Sequence, residues 1–219
     1  MKLLSWNCRG LSRPSAICSL QVLIRDANPD VLFLSETKTD PPQASVILNR
    51  LGFYLLSQVA PSGSKGGLLL AWRTGIDFDC FVLNTNYISI RCFSNPANTP
   101  WILSCVYGPS DRRDRPDFWN AFDAGGSNPE VLWLCIGDFN HILDQSEKIG
   151  GRPYASSSTC PFRSFINHFG MVDLGFTGNP FTWANNRQGH GSIKERLDRG
   201  MATSETGLYS DSREASTLT

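Results

Sequence analysis

The chain has 219 residues, 41% hydrophobic and 18% charged, which suits one globular domain large enough to bury a layered core. Its 20 basic and 20 acidic side chains cancel, so no global field advertises a nucleic-acid or membrane partner, and only a local patch could hold a polyanion. No apolar run approaches the roughly 18 residues of a membrane helix, and "MKLLSWN" is broken too soon for a signal peptide.

From the N-terminus, "KLLSWN" (Lys2 to Asn7) reads as a buried strand, followed by the glycine-containing loop "CRGLS". Pro14 is placed to open a helix to about Ala27, with Ile17, Leu20 and Ile24 on one face. "PDVLFLSET" is a second buried strand, and a helical stretch follows from Pro42 to Leu51. The runs "GFYLLSQV", "GGLLLAW", "FDCFVL", "YISIRCF" and "WILSCVYG" then follow as strands with no helix between them. A helix from about Pro116 to Phe122 precedes a strand beginning at Val131. Another helix spans Pro161 to Phe169, and short strands follow at "FTWAN" and "IKERLDR". This order predicts an α/β fold of two packed sheets flanked by helices, in a single domain over residues 1–199. Residues 200–219 are Ser/Thr-rich and aperiodic, so a disordered tail is expected there. Seven cysteines, an odd number without CxxC spacing, read as reduced thiols of an intracellular protein. Cys80, Cys92, Cys105 and Cys135 fall in strand-like runs and are expected to pack as small hydrophobes.

Several buried strands end in polar groups: Asn7 the first, Glu36 the second, Tyr107 a middle one, and Asp138 with Asn140 the strand from Val131. An Asn or Asp after a strand is commonly a turn residue, and Glu36 alone would read as a solvated loop charge. Together, on one rim, these groups would form a polar pocket. Acidic oxygens there can hold a hard cation such as Mg²⁺, which takes a few carboxylates and completes its shell with water and phosphate oxygens. Amides and a phenol can hydrogen-bond a phosphate whose charge the cation offsets.

"SWN" at 5–7, "SETK" at 35–38, "VYGP" at 106–109, "GDFN" at 137–140 and "RLDR" at 196–199 resemble, in order, the motifs of the endonuclease/exonuclease/phosphatase superfamily. "SWNCRGL", "SEKIGGRP" and "DLGFTGNPFTWANNR" are most similar to the apurinic-type endonuclease domain of plant LINE (non-LTR) retrotransposons. The resemblance implies a four-layer αββα sandwich with the active site where the loops of the two sheets meet. It implies Mg²⁺, or Mn²⁺ in its place, with Glu36 as principal ligand and Asn7 beside it. It also implies that Tyr107 and Asn140 bind the phosphate, that Asp138 positions the attacking water or leaving group, and that Asp198 orients a catalytic histidine. DNA is the implied partner, and a nuclear monomer the implied setting.

Two positions depart from that pattern. Where many relatives carry an acidic residue two places after the "WN" asparagine, this chain has Arg9, which is expected to contact phosphate or solvent. The family's closing Ser-Asp-His motif has no match: "YSDSREAS" offers Ser210-Asp211 followed by Ser212, so the last core strand is expected to be missing and a sheet edge left open. His141, His168 and His190 are the three histidines, and His141 is the best placed to substitute. Arg112, Arg113 and Arg115 border the expected pocket, with Arg113 a candidate phosphate contact, and a solvated loop is the other reading. Lys65 in "GSKGG" suits a plain hairpin as well as a phosphate contact. Three functions stay open: a Mg²⁺-dependent DNA-nicking phosphodiesterase impaired by the lost histidine, a non-catalytic remnant that binds metal or nucleic acid, and a phosphatase of a small substrate.

Overall fold

The computed structural model describes residues 1–63, 65–93, 100–122, 131–154, 160–204 and 216–217. Strands β1 (Leu3–Asn7) and β2 (Val31–Ser35) lie parallel with Asn7 opposite Ser35, joined by helix α1 (Pro14–Ala27). Proline at its first turn presets α1, and Asn28 ends it in the left-handed conformation (φ 44°), its N–H bonded to Ile24 O. Helix α2 (Pro41–Arg50) leads into β3 (Leu55–Val59) and β4 (Leu68–Trp72), and β4 pairs antiparallel with both β2 and β3. A second sheet follows: β5 (Asp77–Leu83), β6 (Tyr87–Phe93), β7 (Trp101–Tyr107) and, after α3 (Arg115–Ala121), β8 (Trp133–Asp138).

The period-2 alternation of the strands sorts the core into three layers. Val31 and Phe33 of β2 meet Ile88, Ile90, Leu103, Cys105 and Ile136 between the sheets. Leu32 and Leu34, one residue out of phase, pack against Leu20 of α1 and Leu48 of α2. On the far side, Val106 and Cys135 pack against Trp119 of α3 and against Phe162 and Phe165 of α4 (Pro161–Phe169). The result is helices, sheet, sheet, helices: the expected four-layer α/β sandwich. All seven cysteines are free, and Cys92, Cys105 and Cys135 are buried as hydrophobes.

Elements too short to show a period complete the fold. A 3-10 turn at Gln145–Glu147 runs into β9 (Lys148–Ile149), which forms a small third sheet with β11 (Trp183–Ala184) and β12 (Lys194–Glu195). The second sheet gains β10 (Met171–Asp173) and β13 (Asp198–Thr203). Fully buried Arg199 braces this region, donating to Glu147 Oε2 (2.7 Å) and Asp173 Oδ2 (3.0 Å), while Arg196 donates to Asp173 Oδ1 (2.7 Å). Buried pairs of this kind add little net stability, but removing one partner strands a charge, so they hold β9, β10 and β13 in one register.

Two expectations about the C-terminal segment are corrected. The domain does not stop at 199: Gly200, Met201 and Ala202 are buried in β13, between β8 and β10, because both neighbours offer them a ladder. The edge of β1 is not open along its whole length, since β14 (Ser216–Thr217) pairs with it in parallel at Leu4 and Ser5. The Ser210-Asp211-Ser212 stretch lies outside the described residues.

Candidate active site

Two glycines allow the strand ends to converge. A Cβ on Gly137 would overlap the Val106 carbonyl, and one on Gly108 would overlap that of Phe139, so only glycine lets β7 and β8 run this close at their ends. In that register Tyr107 stands opposite Asp138, and Asp138 opposite Asp198 on the other side. Three of the expected residues thus form a row across β7, β8 and β13.

Glu36 draws the first sheet to this row. Its Oε1 accepts from Asn7 Nδ2 (3.1 Å) and from the Tyr107 hydroxyl (2.9 Å), and its Oε2 pairs with Lys38 Nζ (2.9 Å). Asn140 sits at the end of β8, its N–H donating to Asp138 Oδ1 (2.9 Å) and its Nδ2 to Gly108 O (2.8 Å). Arg9, Glu36, Lys38 and Asn140 all have φ between 48° and 51°, a left-handed conformation that costs a non-glycine residue about 1–2 kcal/mol. Backbone bonds hold it: Gly10 N–H to Glu36 O (2.8 Å), Thr37 N–H to Gly67 O (3.1 Å) and Lys38 N–H to Gly66 O (3.1 Å). The "GSKGG" loop is therefore more than a hairpin, because its glycines clamp the Glu36 loop; a Cβ on Gly67 would overlap Thr37 Oγ1.

The electrostatics separate three carboxylates. Burial pushes Glu36 up, but hydrogen bonds from Lys38, Asn7 and Tyr107 outweigh it and hold the group below the usual range, ionised at neutrality. Burial raises Asp138 to about 6, against the Asn140 N–H, which pulls it down. Burial, then the charge of Asp138, raises Asp198 to about 7. These two face each other and resist joint ionisation. Thr182 Oγ1 accepts from the Asp198 N–H (3.0 Å) and lies against its carboxylate. Tyr107 is pushed well above an ordinary phenol by burial and by Glu36, so it remains a donor.

The histidines lie elsewhere. His141 stacks on Phe162, its ring centroid 5.1 Å away, with Nε2 3.4 Å from Cys160 Sγ. Burial and the charges of Arg115, Arg199 and Arg112 lower it to about 4, so it is neutral and turned into an aromatic cluster. His168 is exposed on α4, and His190 is exposed in a 3-10 turn at Gly189–Gly191. Among the described residues no histidine hydrogen-bonds to Asp198.

Of the basic residues, Arg9 lines a cleft of about 600 Å³ with Glu36, Trp183 and Arg187. Arg113, expected at the phosphate, instead folds onto Asp111 (2.6 Å) with its side chain 88% exposed. Arg112 and Arg115, by contrast, line a second cleft beside Asn140. Sequence reasoning assigned no role to Lys38, Thr182 or Gly67. Of these only Lys38 left a signal, its spacing of two from Glu36 inside "SETK".

The profile described as the Endonuclease/Exonuclease/phosphatase family matches residues 4–198. The chain belongs to that family. Comparison with curated protein sequences gave no match. Among solved structures, TDP2 from C. elegans has a TM-score of 0.56 and 20% identity over 92% of this chain, which spans 64% of the TDP2 chain. The endonuclease domain of TRAS1, a telomere-specific non-LTR retrotransposon, has a TM-score of 0.64 at 13% identity, covering 92% of this chain and 84% of that one. The Xenopus laevis APE2 catalytic domain has a TM-score of 0.65 at 14% identity, covering 92% and 82%. At these identities the likeness is of fold.

The donor set fits a cation of the family's kind only as a partial shell. Among the described residues no three His, Cys, Asp or Glu groups are placed to hold a metal. Asn7 Oδ1, however, is buried without a hydrogen-bond partner beside the ionised Glu36. One carboxylate and one amide oxygen suit Mg²⁺, which keeps several waters, and the Lys38 ammonium now provides the charge that Glu36 requires.

Proposed function

We propose that this chain is a Mg²⁺-dependent phosphodiesterase domain, a DNA-nicking endonuclease of plant LINE-retrotransposon origin acting as a monomer in the nucleus, with weakened catalysis. One observation carries the reading: Asn7, Glu36, Tyr107, Asp138 and Asn140, from both sheets, converge on one rim. The plant-type motifs, and a fold shared with a non-LTR retrotransposon endonuclease domain, favour the origin. Glu36 and Asn7 Oδ1 would hold the ion, which supplies Lewis-acid stabilisation of charge on a phosphate. The second N–H of the Asn140 amide is the donor for a phosphate oxygen, and the Tyr107 hydroxyl becomes one only when its single hydrogen leaves Glu36 Oε1. Asp138, whose proton affinity lies near neutrality, holds the water or the leaving oxygen. Among the described residues no histidine hydrogen-bonds to Asp198, and this favours a second reading, a domain that binds metal or nucleic acid without cleaving.

Slow, Mg²⁺-dependent conversion of supercoiled plasmid to nicked circle is expected, and its loss in Asp138→Asn. Conversion no faster than that of Asp138→Asn would favour the non-catalytic reading instead. Calorimetry checks the metal independently of turnover. Glu36→Ala is expected to weaken Mg²⁺ binding by about tenfold or more, equivalent to about 1.4 kcal/mol, whereas Lys38→Ala should strengthen it by removing a competing cation. Equal affinity of the parent and Glu36→Ala would remove Glu36 from the site.

A further inference from the structure

Beside the rim stands a cluster of side chains that the proposed chemistry does not use. Cys160, half-buried, caps the N-terminus of α4. Its Sγ accepts from the Tyr154 hydroxyl (3.7 Å) and lies 3.4 Å from His141 Nε2. Both partners are fixed: the Tyr154 N–H donates to Gln145 Oε1 (2.7 Å), and the His141 ring stacks on Phe162. His141 is neutral, and its buried Nδ1 has no hydrogen-bond partner among the described residues. A hydrogen on Nδ1 would be a buried donor left unpaired, so the ring carries it on Nε2 and donates to the sulfur, as Tyr154 does.

The sulfur thus faces two donors at a helix N-terminus, surroundings in which a cysteine attacks as its thiolate. His141 and Tyr154 also line the cleft of about 550 Å³ that opens from Asn140. Arg112 and Arg152 stand in the same lining, and neither forms an ion pair among the described residues. The other charges there are offset: Lys148 is paired with Glu195, and Arg115 has Glu195, Asp138 and Asp111 acting on it. The surplus is therefore positive and draws an anionic reagent. The other thiols are placed differently. Burial raises Cys8 to about 11 and Cys92 to about 12, and holds Cys105 and Cys135 well above the ordinary value. Cys18 is exposed on α1 and Cys80 half-buried on β5, and among the described residues no side-chain donor reaches either sulfur.

We propose that Cys160 is a modification site for small disulfides that carry carboxylates, with His141 and Tyr154 holding the sulfur and Arg112 and Arg152 holding the anion. In the exchange the Cys160 sulfur, its proton released to water, attacks one sulfur of the disulfide. The S–S bond breaks, and the other half leaves as a thiolate. Cys160 is oxidised to a mixed disulfide as the reagent is reduced. The site is independent of phosphodiester cleavage.

The test follows the coloured thiolate released from the dianionic disulfide of thionitrobenzoate at about pH 7. A Cys18→Ser/Cys80→Ser chain leaves Cys160 as the accessible thiol, and a Cys80→Ser/Cys160→Ser chain reports Cys18 for comparison. Cys160 is expected to react about tenfold faster than Cys18, or more. Tyr154→Phe, which removes the hydroxyl alone, should slow Cys160 by about threefold or more, toward this reagent and toward a neutral dipyridyl disulfide alike. Arg112→Ala/Arg152→Ala should slow it by about tenfold toward the anionic reagent and leave the neutral one unaffected. The four buried thiols report that each variant is folded, because they stay silent until urea exposes them. Cys160 reacting no faster than Cys18, or equally fast with and without the Tyr154 hydroxyl, would overturn the site. An unchanged anionic rate in the double arginine variant would overturn the preference for an anion.

Discussion

Extending the chain with a strand that carries Ser-Asp-His is expected to raise its rate of plasmid nicking by about 10²–10⁴-fold, the range a positioned general base contributes. The site is otherwise assembled. Asn7 and Tyr107 already donate to Glu36 Oε1, and Asn140 is locked onto Gly108. Asp198 is held at the start of β13 by Thr182 and stands across from Asp138, and among the described residues no imidazole hydrogen-bonds to it. A histidine there would donate Nδ1–H to the carboxylate and present Nε2 to a water, the division of labour of an Asp–His pair. Once that imidazole takes the water's proton, its positive charge would also relieve the repulsion between Asp138 and Asp198. Because base and orienter act as a unit, Asp198→Asn in the extended form should remove most of the gain. Equal nicking by the parent and extended forms would overturn the lost-base argument. His141 would then be the next residue to replace, despite its place against Phe162 and Cys160.

Asp138→Asn is expected to stabilise the chain at about pH 8 in EDTA by about 2–3 kcal/mol, or about 5–10 °C in a domain of this size. Both carboxyls are raised in the folded state, Asp138 to about 6 and Asp198 to about 7, against an ordinary value near 3.8. The folded chain therefore binds more protons than the unfolded one between those limits. Stability from this pair is full below pH 4 or so and is lost as pH rises through about 6 to 7. The Asn side chain keeps the acceptor for the Asn140 N–H and removes one of the two facing charges. At about pH 4.5 the variant and parent should melt together, because the pair is largely protonated there. Glu36 and Asp173, both lowered, act in the opposite sense and lose their contribution only as pH falls below the ordinary carboxyl range. A parent chain whose melting point stays level between pH 5 and 8, or a variant that melts lower at pH 8, would refute the coupled pair. Loss of nicking together with higher stability in Asp138→Asn is the combination expected of a polar group kept for function.

Much of the architecture could be read locally. Helices that start at Pro14, Pro41 and Pro161 announce themselves through the fixed φ of proline, and α4 ends at Gly170 because glycine accepts the left-handed turn there. Runs such as "VLFLS" are apolar at every position because both faces of the strand are covered. The polar residue that ends each run was visible for the same reason: Asn7, Tyr107 and Asp138 interrupt a pattern that packing would otherwise have kept apolar. β9 and β10, of two and three residues, have no period to read, whereas β11 and β12 fall inside the short runs "FTWAN" and "IKERLDR".

The sequence by itself determined the strands, the helices and the identity of the polar residues at the rim, because proline geometry and two-residue alternation act between near neighbours. Only the tertiary structure decided how those residues meet. Asp138 and Asp198 are 60 residues apart and come to face each other through the register of β8 and β13 alone, and one residue of slip would turn them to opposite faces. Glu36 is 71 residues from the Tyr107 hydroxyl that holds it. Arg112 and Arg115 face the cleft while Arg113 turns to Asp111, and His141 turns to Cys160 instead of to the rim beside Asn140. Those outcomes depend on partners that arrive only when the two sheets close, and no local pattern encodes which partner arrives.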